Sequence, residues 1–353
     1  MKWNNSTNTG MNKRVLRIAS MLLLALALAI VAACGDGGNG NNGQKGSDPN
    51  GNAPAANQAS DGNNDGAAAN GTEEEPAADA EGTVYPQSVT DASGTAIVIE
   101  AEPQRVVSLA PNETEILYAI GASDQIVGLD DNSNYPAEVA EKPRVGGMDV
   151  NIEAVAGLNP DLVIANAGMT DAATEALRAL GVVVYVSQPT TLDETIAHIE
   201  QVGTLVNKQA EAKAVADKMR ADKQAVVEKV KAAGAKRVYL EFSAGWSVGK
   251  GEFLDEIVTL AGGVNVAGDQ QGWFAIDPER ILTSNPEVII YPDYAGDSSI
   301  PDAITSRPGW DQIDAVKNNR VFAVTNDPLV RVGPRLTDGL LEVAKAIHPE
   351  LYE

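Results

Sequence analysis

GWFAIDPERILTSNPEVIIYPD, residues 272–293, carries one complete helix-to-strand unit. Asp277 offers an N-cap oxygen, Pro278 suits the first helical position, and Glu279 complements the positive end of the helix dipole. Ile281 and Leu282 give the helix an apolar side. Asn285-Pro286 stops it, and Val288-Ile289-Ile290 predicts a short buried strand. An earlier stretch, IEAVAGLNPDLVI at residues 152–164, repeats the pattern. Laying Asn159-Pro160 on Asn285-Pro286 superposes Glu153 on Glu279 and one strand on the other. The chain is therefore expected to hold two related halves, each built of helices feeding parallel strands.

Outward from these twin units the same alternation continues. Val89–Asp91 and Ala96–Ile99 flank Ser93-Gly94 as a small hairpin. Arg105–Leu109, Ile126–Leu129 and Val182–Val186 predict strands around the first unit, with helices after Pro111 and across 174–180. Asn112, three residues before Glu115, has the spacing of a capping box. Arg237–Phe242 and Arg320–Val324 predict the matching strands of the second half, with helices at 253–260 and 334–347. Between the halves, Val215, Met219, Val226 and Val230 recur at helical spacing among charges. The expected fold class is α/β, two doubly wound α/β lobes joined by one long α-helix. The boundaries are an N-terminal lobe over 84–203, the interlobe helix over 204–233 and a C-terminal lobe over 234–353.

Residues 1–83 have a different composition. Lys13, Arg14 and Arg17 precede an uncharged run from Ile18 to Ala33, a pattern that predicts a signal peptide over 1–33. The run is shorter than the roughly 20 residues of a spanning helix. Residues 34–83 are Gly, Asn, Ala, Asp and Ser with few large apolar side chains, as expected of a disordered linker. The formal net charge of −23 argues against nucleic acid and against anionic membrane surfaces, which demand basic patches.

Catalysis is not expected. The chain has two histidines. His198 is expected at the surface or in a cap, and His348 lies near the end. Nucleophile elbows, zinc-protease motifs and phosphate loops are all missing from the sequence. A ligand cleft is expected instead, because loops at the carboxyl ends of strands line the crevice of open α/β sheets. Two facing lobes would set the loops at 132–135, 166–169, 244–248 and 271–274 around it, joined by 327–331. Trp246 and Trp273 fall in these loops, whereas Trp310 follows Arg307-Pro308-Gly309 in what the spacing suggests is a structural turn. Aromatic side chains on polar loops of an exported chain suggest ligand contact.

Several blocks in order, RVVSLAPNETEILYAIG, IEAVAGLNPDLVIANAG, GKGEFLDEIVTLAGGVNVA, GWFAIDPERILTSNPEVII and RPGWDQIDAVKNNRVFAV, resemble the substrate-binding lipoproteins of ABC importers for metal chelates. The likeness runs from about Arg105 to the end and implies the same two-lobed fold with a helical connector. Cys34, the only cysteine, follows the signal peptide as in a lipobox, implying a lipid anchor on an extracytoplasmic protein. The implied partners are a permease dimer with its ATPase, docked through Glu153 and Glu279, one carboxylate per lobe. Candidate ligand residues are Trp246, Trp273, Asn166, Tyr135 and Arg331. Arg335 could also serve, or could pair structurally. The cargo expected first is cobalamin or a related corrinoid, then a ferric siderophore, then haem, with Tyr135, Tyr294 or Met148 as possible metal ligands. No cofactor of the protein's own, no bound nucleic acid and a monomeric state are expected. A ligand-presenting surface sensor would use the same fold. A hydrolase built on Asp131 and Asp327 would lack a supporting base.

Overall fold

The computed structural model describes residues 82–353. The expected signal peptide, Cys34 and the linker up to residue 81 lie outside the described residues. The described chain opens with an antiparallel hairpin, β1 (Gln87–Thr90) and β2 (Ala96–Ile99). Next come β3 (Val106–Ser108), α1 (Pro111–Ala119), β4 (Ile126–Leu129) and α2 (Ile152–Gly157). The first lobe continues with β5 (Leu162–Asn166), α3 (Asp171–Ala179), β6 (Val184–Ser187) and α4 (Leu192–Leu205). Its four strands form one parallel sheet in the order β4-β3-β5-β6.

Helix α5 (Gln209–Val230) leads into the second lobe. A left-handed Asn207, at φ 58°, separates it from α4. Ala212, Ala216, Met219, Val226 and Val230 are buried on one side of α5. Its other side is charged, with Arg220 meeting Glu200 of α4 at 2.7 Å and Lys218 meeting Asp222 at 2.6 Å.

The second lobe starts with β7 (Lys236–Ser243), β8 (Trp246–Val248), α6 (Phe253–Leu260) and β9 (Gly263–Asn265). It goes on with β10 (Trp273–Ala275), α7 (Pro278–Ser284), β11 (Val288–Asp293) and α8 (Ser299–Ser306). The chain ends on α9 (Asp314–Lys317), β12 (Val321–Thr325), α10 (Asn326–Val330) and α11 (Leu336–Ile347). Strands β9, β7, β11 and β12 are parallel neighbours in that order, the same order as in the first lobe. Strands β8 and β10 extend this sheet as an antiparallel ribbon beside β7.

The repeat extends to single bonds. Helices α2 and α7 both end on asparagines in left-handed geometry, Asn159 at φ 45° and Asn285 at φ 44°. The amide N–H of Arg105 donates to Asp161 at 2.9 Å, and that of Arg237 donates to Glu287 at 3.0 Å. The guanidinium of Arg105 donates to the carbonyl of Asn159, and that of Arg237 donates to the carbonyl of Asn285.

Alternate residues along the strands sort the core into three. Val106, Leu162 and Ile164 of the first sheet, with Val238, Leu240 and Ile290 of the second, share one cluster with Ile196 of α4, Met219 of α5 and Leu340 of α11. Val107, Val163 and Val184 face a cluster confined to the first lobe. Tyr239, Ile289 and Trp310 face one confined to the second. Trp310 is fully buried, edge-on to Tyr239 and capped by Arg307 at 4.4 Å, which gives the expected turn its structural role. Each fully buried aliphatic side chain stabilises the fold by about 1.5–3 kcal/mol.

Candidate functional site

The carboxyl ends of the strands in both lobes gather the candidate residues, and the two rims touch. Gly333, after α10, packs against Asn112 of α1. Arg331 reaches across from the same segment and donates to Asn134 at 2.7 Å and to Glu115 at 2.8 Å. Arg335 donates to both oxygens of Glu115, at 2.8 and 2.6 Å. The Glu115 side chain is only 2% exposed, so its charge is compensated almost wholly by these two guanidinium groups. Asp327 lies 3.1 Å from Arg331. The cations of this rim are thus engaged in a clasp between lobes.

Glu115 is not the partner of a capping box. Helix α1 begins at Pro111, with Ala110 at the N-cap and no side-chain cap, so Asn112 is already inside the helix. Proline at the first position places the helix start two residues earlier than the capping pattern suggests. Asn112 instead accepts from Asn166 at 2.8 Å and donates to Glu113 at 2.9 Å.

Asn166 ends β5 and belongs to a polar network beneath the first rim. The hydroxyl of Ser187 lies 2.9 Å from Asn166 Oδ1 and 2.6 Å from Glu113 Oε1. His198 Nε2 meets both Glu113 oxygens, at 3.0 and 2.9 Å. His198 is therefore buried between α4 and α1, not on the surface, because the fully buried Glu113 needs a partner. Burial, then the charges of Glu113 and Asp91, push the neighbouring Tyr185 phenol up to about 12. His348 is also buried, against the carbonyl of Gly262.

Trp246 and Trp273 sit on strands of the ribbon, not on loops. The register pairs Trp273 with Val248 and Ala275 with Trp246. Alternation puts all four side chains on one face, with the two indoles diagonal to one another. They are 47% and 41% exposed. Phe242 supports Trp273 edge-on at 4.7 Å between ring centres. The turn from β7 into β8 passes through Gly245 at φ 83°, a conformation that a side chain would strain.

Tyr135 is placed differently. Its ring lies 4.0 Å from the guanidinium of Arg335, and it lines a groove of about 600 Å³ between α1, Pro136 and Arg335. A separate hollow at the first rim is lined by Leu109, Pro111, Asp130, Asn132, Met148 and Met169. Burial pushes the Asp130 carboxyl upward, against the pull of Ser133, the Asn132 amide, Arg144 and Arg331.

Glu153 and Glu279 are both exposed, each in the first turn of its helix. Asn151 Oδ1 caps α2 by accepting from Ala154, and Asp277 caps α7 by accepting from the N–H of Glu279 and of Arg280. The carboxylates of both glutamates therefore remain free of capping duty. Among the described residues, no group of three or more His, Cys, Asp or Glu side chains could hold a metal ion. No described helix is long and apolar enough to cross a membrane.

Comparison with known proteins places this geometry. The chain is 35% identical over 280 residues to an uncharacterized ABC transporter substrate-binding lipoprotein, YvrC, of Bacillus subtilis, covering 76% of this chain and 88% of that one. It is 32% identical to the vitamin B12-binding protein of Vibrio cholerae, over 68% of this chain and 87% of that one. A crystal structure of a possible iron-binding, periplasmic solute-binding protein from Staphylococcus epidermidis superposes with a TM-score of 0.64 at 30% identity, covering 70% of this chain and all of that one. The family model described as periplasmic binding protein matches residues 106–328, and the chain belongs to that family.

Proposed function

We propose that this chain is the extracytoplasmic substrate-binding component of an ABC importer, capturing a metal chelate between its lobes and delivering it to a permease. The ligand favoured is cobalamin or a related corrinoid, with a ferric siderophore or haem as the alternatives within the same importer class. The observation that carries the choice is the pair of half-exposed indoles sharing one face of the β8–β10 ribbon. Aromatic faces suit a large, flat, partly apolar ring system. An anionic siderophore calls for free cations, and Arg331 and Arg335 are engaged by Glu115.

In this reading Asn166 presents its amide at the cleft edge, while Arg331 and Tyr135 act on the ligand indirectly by holding the lobes and their rim. Glu153 and Glu279 are the permease-docking carboxylates, supported by their exposure and by the matched helices that carry them. A pseudo-twofold pair suits a twofold permease, and exposed carboxylates facing cations orient an encounter. Cys34 would carry the lipid that keeps the protein at the membrane, as the name of its Bacillus subtilis relative suggests. The protein acts as a monomer without a cofactor, and ligand release replaces turnover.

The test is a titration of tryptophan fluorescence with cyanocobalamin, haemin and a panel of ferric siderophores. Saturable quenching by cyanocobalamin alone is expected. Quenching by only a siderophore or haemin reassigns the cargo, and none by any of them defeats the reading.

A further inference from the structure

The duplication that relates α2 to α7 also relates the segments just ahead of them. Trp273 stands four residues before Asp277, the N-cap of α7. Met148 stands three residues before Asn151, the N-cap of α2. Both segments follow equivalent strands, β9 and β4, at the outer position of equivalent four-stranded parallel arrays. Counted from the two caps, Gly147 falls opposite Trp273, so the first lobe's slot holds a bare glycine and Met148 stands beside it. Met148 is 73% exposed, and Met169, after β5, is 50% exposed, whereas Met219 is buried at 1%.

Two large thioether side chains, left open to water, border a shallow notch of about 10 Å³ together with Leu109, Pro111, Asp130 and Asn132, so the sulfur side chains stand on the rim instead of filling a cavity. The backbone is shaped to hold Met148 there. Gly146 takes φ 98°, and a Cβ on it would lie 2.5 Å from the carbonyl oxygen of Asp149. Unbranched, polarisable thioethers adapt to a broad face and make favourable contacts with ring systems.

We infer that Met148 and Met169 form the first lobe's wall of the ligand site, opposing the indole wall of the second, and that this pair of walls takes a macrocyclic chelate with a flat, largely apolar face. This rests on the proposed function and sharpens it. A corrin or porphyrin presents such a face, whereas hydroxamate and catecholate siderophores present oxygen. The methionines contact the macrocycle through their methyl and sulfur atoms and remain uncoordinated to the metal.

The experiment labels the six methionine methyls of the full chain with carbon-13 and follows them by NMR during titration with cyanocobalamin and with haemin. M148L and M169L assign the two signals, and Met219 serves as the buried control. The Met148 and Met169 methyls are expected to shift with the same saturation as tryptophan quenching, while Met219 stays in place. Replacing both by serine should weaken binding about tenfold or more, and replacing both by leucine should leave it within about threefold. Quenching by a macrocycle with neither methyl moving overturns this inference and leaves the importer reading standing. Saturable binding of a ferric siderophore, and of neither macrocycle, overturns it too. Silence of the tryptophans toward all these ligands brings down both.

Discussion

The two lobes share a frame and differ at their rims. Both arrange four parallel strands in one order, and both tie a strand-entry arginine to a left-handed asparagine and an acidic residue after it. Both hang a short capped helix with an exposed first-turn glutamate at the same place. Beyond the frame they part. The second lobe adds an antiparallel ribbon bearing two indoles, and the first has glycine turns bearing two thioethers and, separately, a buried Glu113–His198 pair. On the proposed function, what was kept in duplicate would serve symmetric contacts with a permease, and what diverged would serve a ligand that has two different sides.

The strongest way to break this comparison is to cut the clasp between the lobes. Glu115→Gln leaves Arg331 and Arg335 facing a neutral amide, and should cost about 3 kcal/mol of unfolding free energy by urea titration. A change below the error of that measurement would mean that the lobes hold together without the clasp. Next in size is the ribbon. Trp273→Ala should weaken ligand binding about 30-fold by fluorescence or calorimetry, with Trp246→Ala somewhat less. Equal, negligible losses would make the indoles lobe-packing groups.

The symmetric pair gives a sharper test at smaller amplitude. Glu153→Ala and Glu279→Ala should each lower permease-dependent uptake about tenfold while leaving ligand affinity unchanged. Unequal losses would argue that the frame is symmetric in shape only. The smallest effect concerns the first lobe alone. Burial raises the Asp91 carboxyl, but Ser93, the Thr95 and Val186 amides and Arg178 outweigh that and hold it below its usual 3.8. A depressed carboxylate stabilises the fold above its unfolded-state value and loses that contribution as pH falls through the folded one. Asp91→Asn should therefore cost about 1 kcal/mol at neutral pH, a difference that shrinks as pH falls below the usual 3.8. A constant difference across that range would exclude ionisation as the cause.

Local signals made the frame legible. Asn-Pro stops, an aspartate cap before proline and short apolar runs specify α7, β11 and their twins from neighbouring residues alone. The site was less legible because its contacts join distant positions. Glu115 meets Arg335 across 220 residues, and nothing near Glu115 announces that partner. His198 meets Glu113 across 85 residues, so its polar surroundings in the chain suggested solvent where the fold supplies a carboxylate. Strands β8 and β10 are three residues each, too short to show a two-residue period. Tyr135 could be placed at a rim from the topology, but its ring is turned by Arg335 of the other lobe.

The apolar cluster common to both sheets, α4, α5 and α11 has a consequence for how the molecule comes apart. Each half keeps a cluster of its own, yet Ile116, Met219 and Leu340 belong to one mass contributed from early, middle and late in the chain. Severing the polypeptide after Ala233 would not yield two working modules but two pieces with raw oily flanks. Heating should likewise melt the protein in one step, with the beginning and the end of the chain surrendering at the same temperature.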